Sequence, residues 1–113
     1  MKRGDIVLAN LNPKKGSEMG KVRPVLVLQS NLLNTISHPT TIIIPLSTHL
    51  IDDAYPLRYR IRARTLLQYD SDAVIDQIRA VDNVRITSDI LATLSTEEMA
   101  DIDAMVKLVL GLK

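Results

Sequence analysis

Gly20-Lys21-Val22-Arg23-Pro24-Val25-Leu26-Val27-Leu28-Gln29 joins a glycine-bracketed loop to an apolar run, and the fold is read outward from it. Proline has no N–H to give a ladder and holds its predecessor extended, so Pro24 is expected at the first residue of a strand. Arg23 is then aimed by the backbone into the seam between strand and loop. There a fixed guanidinium and the turning amides of Gly16-Ser17-Glu18-Met19-Gly20-Lys21 would together suit a bound phosphate.

The neighbouring segments repeat the pattern. Residues 4–11, 22–29, 40–46, 57–63 and 73–81, with a further short stretch at 89–94, are aliphatic-rich and separated by Gly, Pro, Asn, Ser or Asp clusters, which predicts strands. Short strands at this spacing suggest a sandwich or small barrel. Residues 31–36 and 83–86 each predict one helical turn. At the end of the chain the period changes: Ser95-Thr96-Glu97-Glu98 has capping-box spacing, and Met99, Ile102, Val106, Val109 and Leu110 recur on one helical face. A closing helix is expected to pack that stripe against the barrel. Met105 and Leu108 fall on its flank, where a subunit contact is the alternative.

A chain of 113 residues closes one core and is too short for two, so residues 1–113 are expected to form a single domain. With 46% hydrophobic and 24% charged residues, it has the composition of an ordinary soluble globular protein. The absence of cysteine excludes disulfides and thiolate zinc sites. Lys2 and Arg3 lead only into Ile6-Val7-Leu8-Ala9, too short for a signal core or a membrane span, so the expected location is the cytoplasm, with no membrane partner.

Net charge is only +1, but residues 1–66 carry ten Lys/Arg against four Asp/Glu, and residues 67–113 carry four against nine. A compact fold can thus present a basic face to a polyanion; a balanced, salt-bridged surface is the alternative. The steepest stretch is Arg58-Tyr59-Arg60-Ile61-Arg62-Ala63-Arg64. Alternation along a strand puts the four arginines on one face, a cationic stripe, with Leu57, Tyr59, Ile61 and Ala63 packing on the other. Such a stripe, Arg58 and Arg60 above all, either meets an anionic ligand or protects an exposed edge strand by charge.

Four motifs occur in register: Lys2-Arg3-Gly4-Asp5-Ile6-Val7; Gly16-Ser17-Glu18 followed by Arg23-Pro24-Val25-Leu26-Val27; Ile44-Pro45-Leu46-Ser47-Thr48; and Asp76-Gln77-Ile78-Arg79-Ala80-Val81-Asp82. In this order and at these separations the chain resembles, over nearly its whole length, the MazF/PemK family of bacterial toxins. That resemblance implies an SH3-like β-barrel with a terminal helix, a homodimer, and metal-independent, sequence-selective endoribonuclease activity. It also implies a partner, a small antitoxin whose acidic, disordered C-terminal segment blocks the RNA groove. Three departures stand out: Ser47 where the family more often has threonine, Met19 where relatives often have glutamine, and the arginines at 58–64.

Cutting RNA without a metal requires a base for the attacking 2′-hydroxyl, an acid for the leaving 5′-oxygen and a cation for the added charge. Arg23 is the electrostatic candidate, since its planar fork holds two phosphate oxygens and stays charged. Ser47 keeps a hydroxyl to bind and orient phosphate; Thr48 is a fallback that alternation sends to the other face, and both hydroxyls would equally suit a strand-end turn. Glu18 acts as base if the loop strips it of water, and is otherwise a solvated loop acid. Lys14, Lys15 and Lys21 add phosphate affinity without sequence information. In the last motif, alternation puts Gln77, Arg79 and Val81 on one face. Gln77 can read a base edge with donor and acceptor, and Arg79 either joins it or pairs with Asp70, Asp72 or Asp89.

The two histidines, His38 and His49, lie beside loop-like segments, which argues against a paired-histidine mechanism. No HExxH or Walker sequence is present, so no metal or nucleotide cofactor is indicated. Three tyrosines without Phe or Trp argue against a base-stacking platform. The function expected is a toxin endoribonuclease that cleaves single-stranded RNA to 2′,3′-cyclic phosphate and 5′-hydroxyl ends, arresting translation and growth. The alternatives are a CcdB-like toxin that binds DNA gyrase without catalysis, and an inactive nucleic-acid-binding barrel.

Overall fold

The apolar runs around Pro24 become the centre of a sheet. In the computed structural model, which describes residues 1–113, β1 (Asp5–Asn10), β2 (Val22–Val27) and β3 (Thr40–Ser47) pair antiparallel in succession. β4 (Arg58–Ile61), β5 (Ser71–Val74), β6 (Arg79–Asp82) and β7 (Ala92–Thr93) complete a seven-stranded sheet of order β4-β5-β3-β2-β1-β7, with β6 on the remaining part of β3. The strands at 57–63 and 89–94 are thus shorter than expected. Leu66 N–H donates to the Leu91 carbonyl at 2.9 Å, drawing the two ends of the sheet together into a half-barrel.

Both faces of the central strands are apolar, which is why their sequences run without strict alternation. Ile6, Leu26, Ile44, Leu46 and Ile61 point inward to the main core, whereas Val7, Val25, Val27, Ile43 and Val81 form a second cluster with Ile86. The main core is closed by α2 (Thr96–Leu110), while α1 (Asn31–Thr35) contributes one turn after β2. The capping box forms as expected: Ser95 Oγ accepts the Glu98 N–H at 3.1 Å and Glu98 accepts the Ser95 N–H at 2.9 Å. Met99, Ile102 and Met105 are buried, and Val106 and Val109 pack partly against the core. Met105 is therefore a core residue, and Leu110 is exposed with Leu108. The stripe centres on Ile102, from which Met105 is roughly 60° around the helix and Leu110 roughly 80°, in its last turn.

Pro24 is the third residue of β2, not the first. Its partner Leu8 donates to Ser88 Oγ at 2.8 Å and accepts the Thr87 N–H at 2.9 Å, so Leu8 and Pro24 form a non-hydrogen-bonded pair. The proline nitrogen then faces the β3 side, where pairing begins only at Val25↔Pro45. The Leu46 carbonyl on that side accepts instead from Arg23 Nη1 at 3.1 Å.

The expected continuous strand over 73–81 is interrupted. Between the pairs Leu46↔Ala73 and Ile43↔Arg79, β3 advances three residues while its partner chain advances six. The three additional residues are extruded as a 3-10 turn, Ile75–Gln77. The extrusion lies across from Pro45, which has no N–H to hold a ladder together. Alternation therefore fails over Asp76–Gln77, and the turn carries both residues to the rim of the sheet.

Candidate functional site

At that rim a cavity of about 740 Å³ opens between three pieces of chain: the loop after β1, the adjoining ends of β2 and β3, and the β4 start with the 3-10 turn. The loop brings Lys14, Glu18 and Lys21; the central strands bring Arg23 and Ser47; the far wall brings Arg58, Asp76 and Gln77. Four cationic groups thus face two carboxylates, a basic balance in a chain of net charge +1.

Arg23 is held from behind by neutral groups. Its Nε donates to the Gly20 carbonyl at 2.7 Å and its Nη1 to the Leu46 carbonyl at 3.1 Å, while no carboxylate pairs with it. Partial burial lowers its pKa by disfavouring the ion, yet a guanidinium remains charged at neutral pH. Two donors are spent on positioning and the rest of the fork is left for a ligand.

The loop is built to present that carbonyl. Lys21 adopts a left-handed conformation, φ 71°, its N–H donating to Asn12 Oδ1 at 2.8 Å and its carbonyl accepting the Leu11 N–H at 2.8 Å. Gly20 is required by close approach: a Cβ there would lie 2.7 Å from the Lys14 Cβ. Gln77 fastens the tip, accepting the Met19 N–H through Oε1 at 3.2 Å with Nε2 3.5 Å from the Ser17 carbonyl. The amide expected to read a base edge thus engages the loop. Glu18 is exposed, makes no side-chain hydrogen bond, and its N–H closes a turn onto the Lys15 carbonyl at 3.0 Å.

Ser47 ends β3. Its Oγ accepts the His49 N–H at 3.1 Å, a turn bond that leaves its own hydrogen free to donate into the cavity. Thr48 faces a separate cavity with Pro24, Leu67 and Leu91, as alternation requires. Lys15 and Arg79 also lie outside the Arg23 cavity, and Arg79 forms no ion pair with Asp70, Asp72 or Asp89.

The cationic stripe over 58–64 is corrected by the structure. Strand geometry ends at Ile61, so Arg62 and Arg64 do not continue the face of Arg58 and Arg60. Arg60 Nε pairs with Asp72 at 2.6 Å and its Nη2 with Asp52 at 2.8 Å; Arg58 Nη1 reaches Asp72 at 3.4 Å; Arg64 pairs with Glu98 at 2.6 Å. The anions that offset this segment come largely from the chain itself. Burial alone would raise the Asp72 pKa, but hydrogen bonds from Arg60, the Ile51 N–H and Arg58 outweigh it and hold the carboxyl below its ordinary value. Glu98 is likewise lowered, chiefly by Arg64. Of the stripe only Arg58 lines the cavity.

Sequence reasoning missed Asp76 and Ser17 as wall residues; the available signal was Pro45, which predicts a broken ladder opposite and so an extruded Asp76–Gln77. No cluster of three His, Asp or Glu is arranged to hold a metal ion, and no helix is long and apolar enough to cross a membrane.

The profile of the PemK-like, MazF-like toxin of type II toxin–antitoxin systems matches residues 2–110. Endoribonuclease EndoA of Bacillus subtilis (strain 168) is 36% identical over 113 residues, covering 99% of this chain and 96% of the relative. Endoribonuclease MazF of Staphylococcus saprophyticus is 34% identical over 113 residues, with 99% and 92% covered. Among solved structures, MazF from Deinococcus radiodurans superposes with a TM-score of 0.81 at 22% identity, covering 99% of this chain and 97% of that one. A MazE–MazF structure from the same organism gives 0.75 at 22% identity, with 100% and 97% covered; these two likenesses are of fold.

Proposed function

The chain belongs to the PemK-like, MazF-like toxins of type II toxin–antitoxin systems, and from that premise we propose that its Arg23 cavity is the active site of a metal-independent endoribonuclease for single-stranded RNA. The observation that carries this is the Arg23 guanidinium, held by the Gly20 and Leu46 carbonyls at the wall it shares with Ser47 and Glu18. Held by dipoles instead of a carboxylate, it offers its whole charge to a phosphate before any ligand arrives, which is the preorganised form of transition-state stabilisation.

In the reaction the ribose 2′-oxygen attacks phosphorus and the P–O5′ bond breaks, leaving a 2′,3′-cyclic phosphate and a 5′-hydroxyl. Once bound RNA shields the exposed Glu18 from water, its carboxylate takes the 2′-hydroxyl proton, Arg23 holds the phosphoryl oxygens and Ser47 donates a hydrogen bond that fixes the phosphate; water protonates the leaving oxygen. Lys14 and Lys21 add backbone attraction. Gln77 reads a base by exchanging its bonds to the loop for bonds to that base, so base identity and loop position are coupled. Single strands are favoured because in-line attack needs a flexible sugar and accessible base edges. The antitoxin supplies an acidic segment that occupies the same cavity, in keeping with the MazE–MazF assembly of the structural relative. The toxin acts as a homodimer in the cytoplasm, where its messenger RNA substrates are.

Incubation of the purified chain beside Arg23→Ala with a long mixed single-stranded RNA in EDTA tests the proposal. Cuts at a short recurring sequence with the stated ends, lost in the variant, are expected. Folded, antitoxin-free protein that binds RNA without cutting it would instead identify an inactive binding barrel.

A further inference from the structure

Arg58 and Arg60 emerge side by side from β4 and share one carboxylate, yet only Arg58 lines the active-site cavity. We propose that Arg58 is a second phosphate-holding cation of this site, positioned by the buried Asp72, and that it engages an RNA phosphate other than the one cleaved. The assignment rests on the ribonuclease function proposed above and adds to it a contact that requires a longer RNA.

Asp72 stands opposite Ser47 across the β3–β5 ladder and opposite Arg60 across the β4–β5 ladder. Only 1% of its side chain is exposed, and it accepts from the Ile51 N–H at 2.8 Å and from Arg60 Nε at 2.6 Å. Those short bonds already meet its single charge. Arg58 adds a looser contact at 3.4 Å through Nη1, the same nitrogen that donates to the His49 carbonyl at 3.0 Å. One nitrogen of the fork is thus tied down, and Nε and Nη2 keep their donors for the cavity. With 19% of its side chain exposed, Arg58 loses little freedom when it binds an anion.

Placement separates it from Arg23. The Arg23 fork is anchored on the Leu46 carbonyl of β3, whereas the Arg58 fork is anchored past the end of that strand, on the His49 carbonyl and on Asp72 of β5. Two cations anchored at separate points of one cavity suit neighbouring phosphates of one strand. A purely structural Arg58, neutralising Asp72 or charging the β4 edge, would duplicate what Arg60 does with shorter bonds and a further partner in Asp52.

The test uses the full chain and a short single-stranded RNA carrying the mapped cut sequence, 2′-O-methylated at the attacking ribose so that it binds without reacting. Affinity is measured against salt for the wild type, Arg58→Ala and Arg60→Ala. Expected is about tenfold weaker binding for Arg58→Ala, with the slope of log affinity against log salt reduced by about 0.7, one single-strand phosphate contact, and an unchanged slope for Arg60→Ala. Arg58→Lys restores the slope. If Arg58→Ala does not fold, Arg58→Gln, which can still donate to the His49 carbonyl, makes the same comparison. Equal slopes in the two alanine variants, with a wild type that cuts and binds, overturn the Arg58 assignment alone. A folded wild type that neither cuts nor binds RNA overturns the ribonuclease function and this assignment with it.

Discussion

Arg23 and Arg60 are both fixed arginines near one end of the sheet, and they differ in what fixes them. Arg23 is held by two carbonyl oxygens, Arg60 by the carboxylates of Asp72 and Asp52. A carbonyl orients a guanidinium without cancelling its charge, whereas a carboxylate orients and neutralises it together. Counting cations along a sequence therefore overstates the charge a ligand meets. The basic half of this chain is reduced by its own acids over 58–64, and the cavity keeps the cations that carbonyls and loop geometry hold.

The largest effect expected from breaking this contrast is at Arg23. Arg23→Ala should lower kcat/KM about 10³-fold, roughly 4 kcal/mol of transition-state stabilisation, with a smaller loss of thermal stability, since the Gly20 and Leu46 carbonyls lose a donor but no ion pair is broken. Arg23→Lys should recover only part of it, since an ammonium cannot span both carbonyls and still present a fork to phosphate. A Lys variant as active as the wild type would mean that charge alone, without orientation, suffices.

At the opposite pole, Asp72→Ala should cost about 3 kcal/mol of folding free energy, read by urea denaturation, because two arginines and the Ile51 N–H lose a buried partner. The pH profile sharpens the point. Asp72 and Glu98 both have folded pKa values below their ordinary ones, so the stability they contribute is fully present above the unfolded carboxylate range and is lost as pH falls through the folded values. Unfolding should be insensitive to these groups above about pH 5 and grow easier from about pH 4 downward. A variant lacking Asp72 should show a shallower acid decline; an unchanged one would place the acid sensitivity elsewhere.

The same contrast explains what the sequence disclosed. Arg23 was legible because its motif is local, a glycine loop, a proline and an apolar run within a few residues, although the Leu46 carbonyl that holds its Nη1 lies 23 residues on and was not. The Ser95–Glu98 capping box and the helix after it were legible for the same reason. The partners of Arg58, Arg60 and Arg64 were not, since Asp72 and Glu98 arrive only once β5 and α2 have taken their places, 12 and 34 residues further along for Arg60 and Arg64. The extrusion of Asp76–Gln77 sits between: Pro45 signals a ladder break, but only the pairing of β3 with both β5 and β6 shows that three residues must leave the strand.

A smaller substitution tests whether orientation by carbonyls matters in itself. Gly20→Ala leaves every charge in place, but its Cβ would stand 2.7 Å from the Lys14 Cβ and 3.3 Å from Asn12 Oδ1, so the backbone that carries the Gly20 carbonyl must shift. Arg23 would keep its bond to the Leu46 carbonyl and lose its fit to the other, and kcat/KM should fall about tenfold, or about 1.4 kcal/mol. Gly16→Ala is the control within the same loop. Its Cβ meets nothing within 4 Å, but φ is +55°, so the cost is backbone strain of roughly 1 kcal/mol in stability with little change in activity. If the two variants lose activity equally, loop strain and not the Gly20 carbonyl sets the rate. If only Gly20→Ala does, a neutral oxygen is shown to aim the catalytic charge, which a carboxylate in its place could do only by cancelling it.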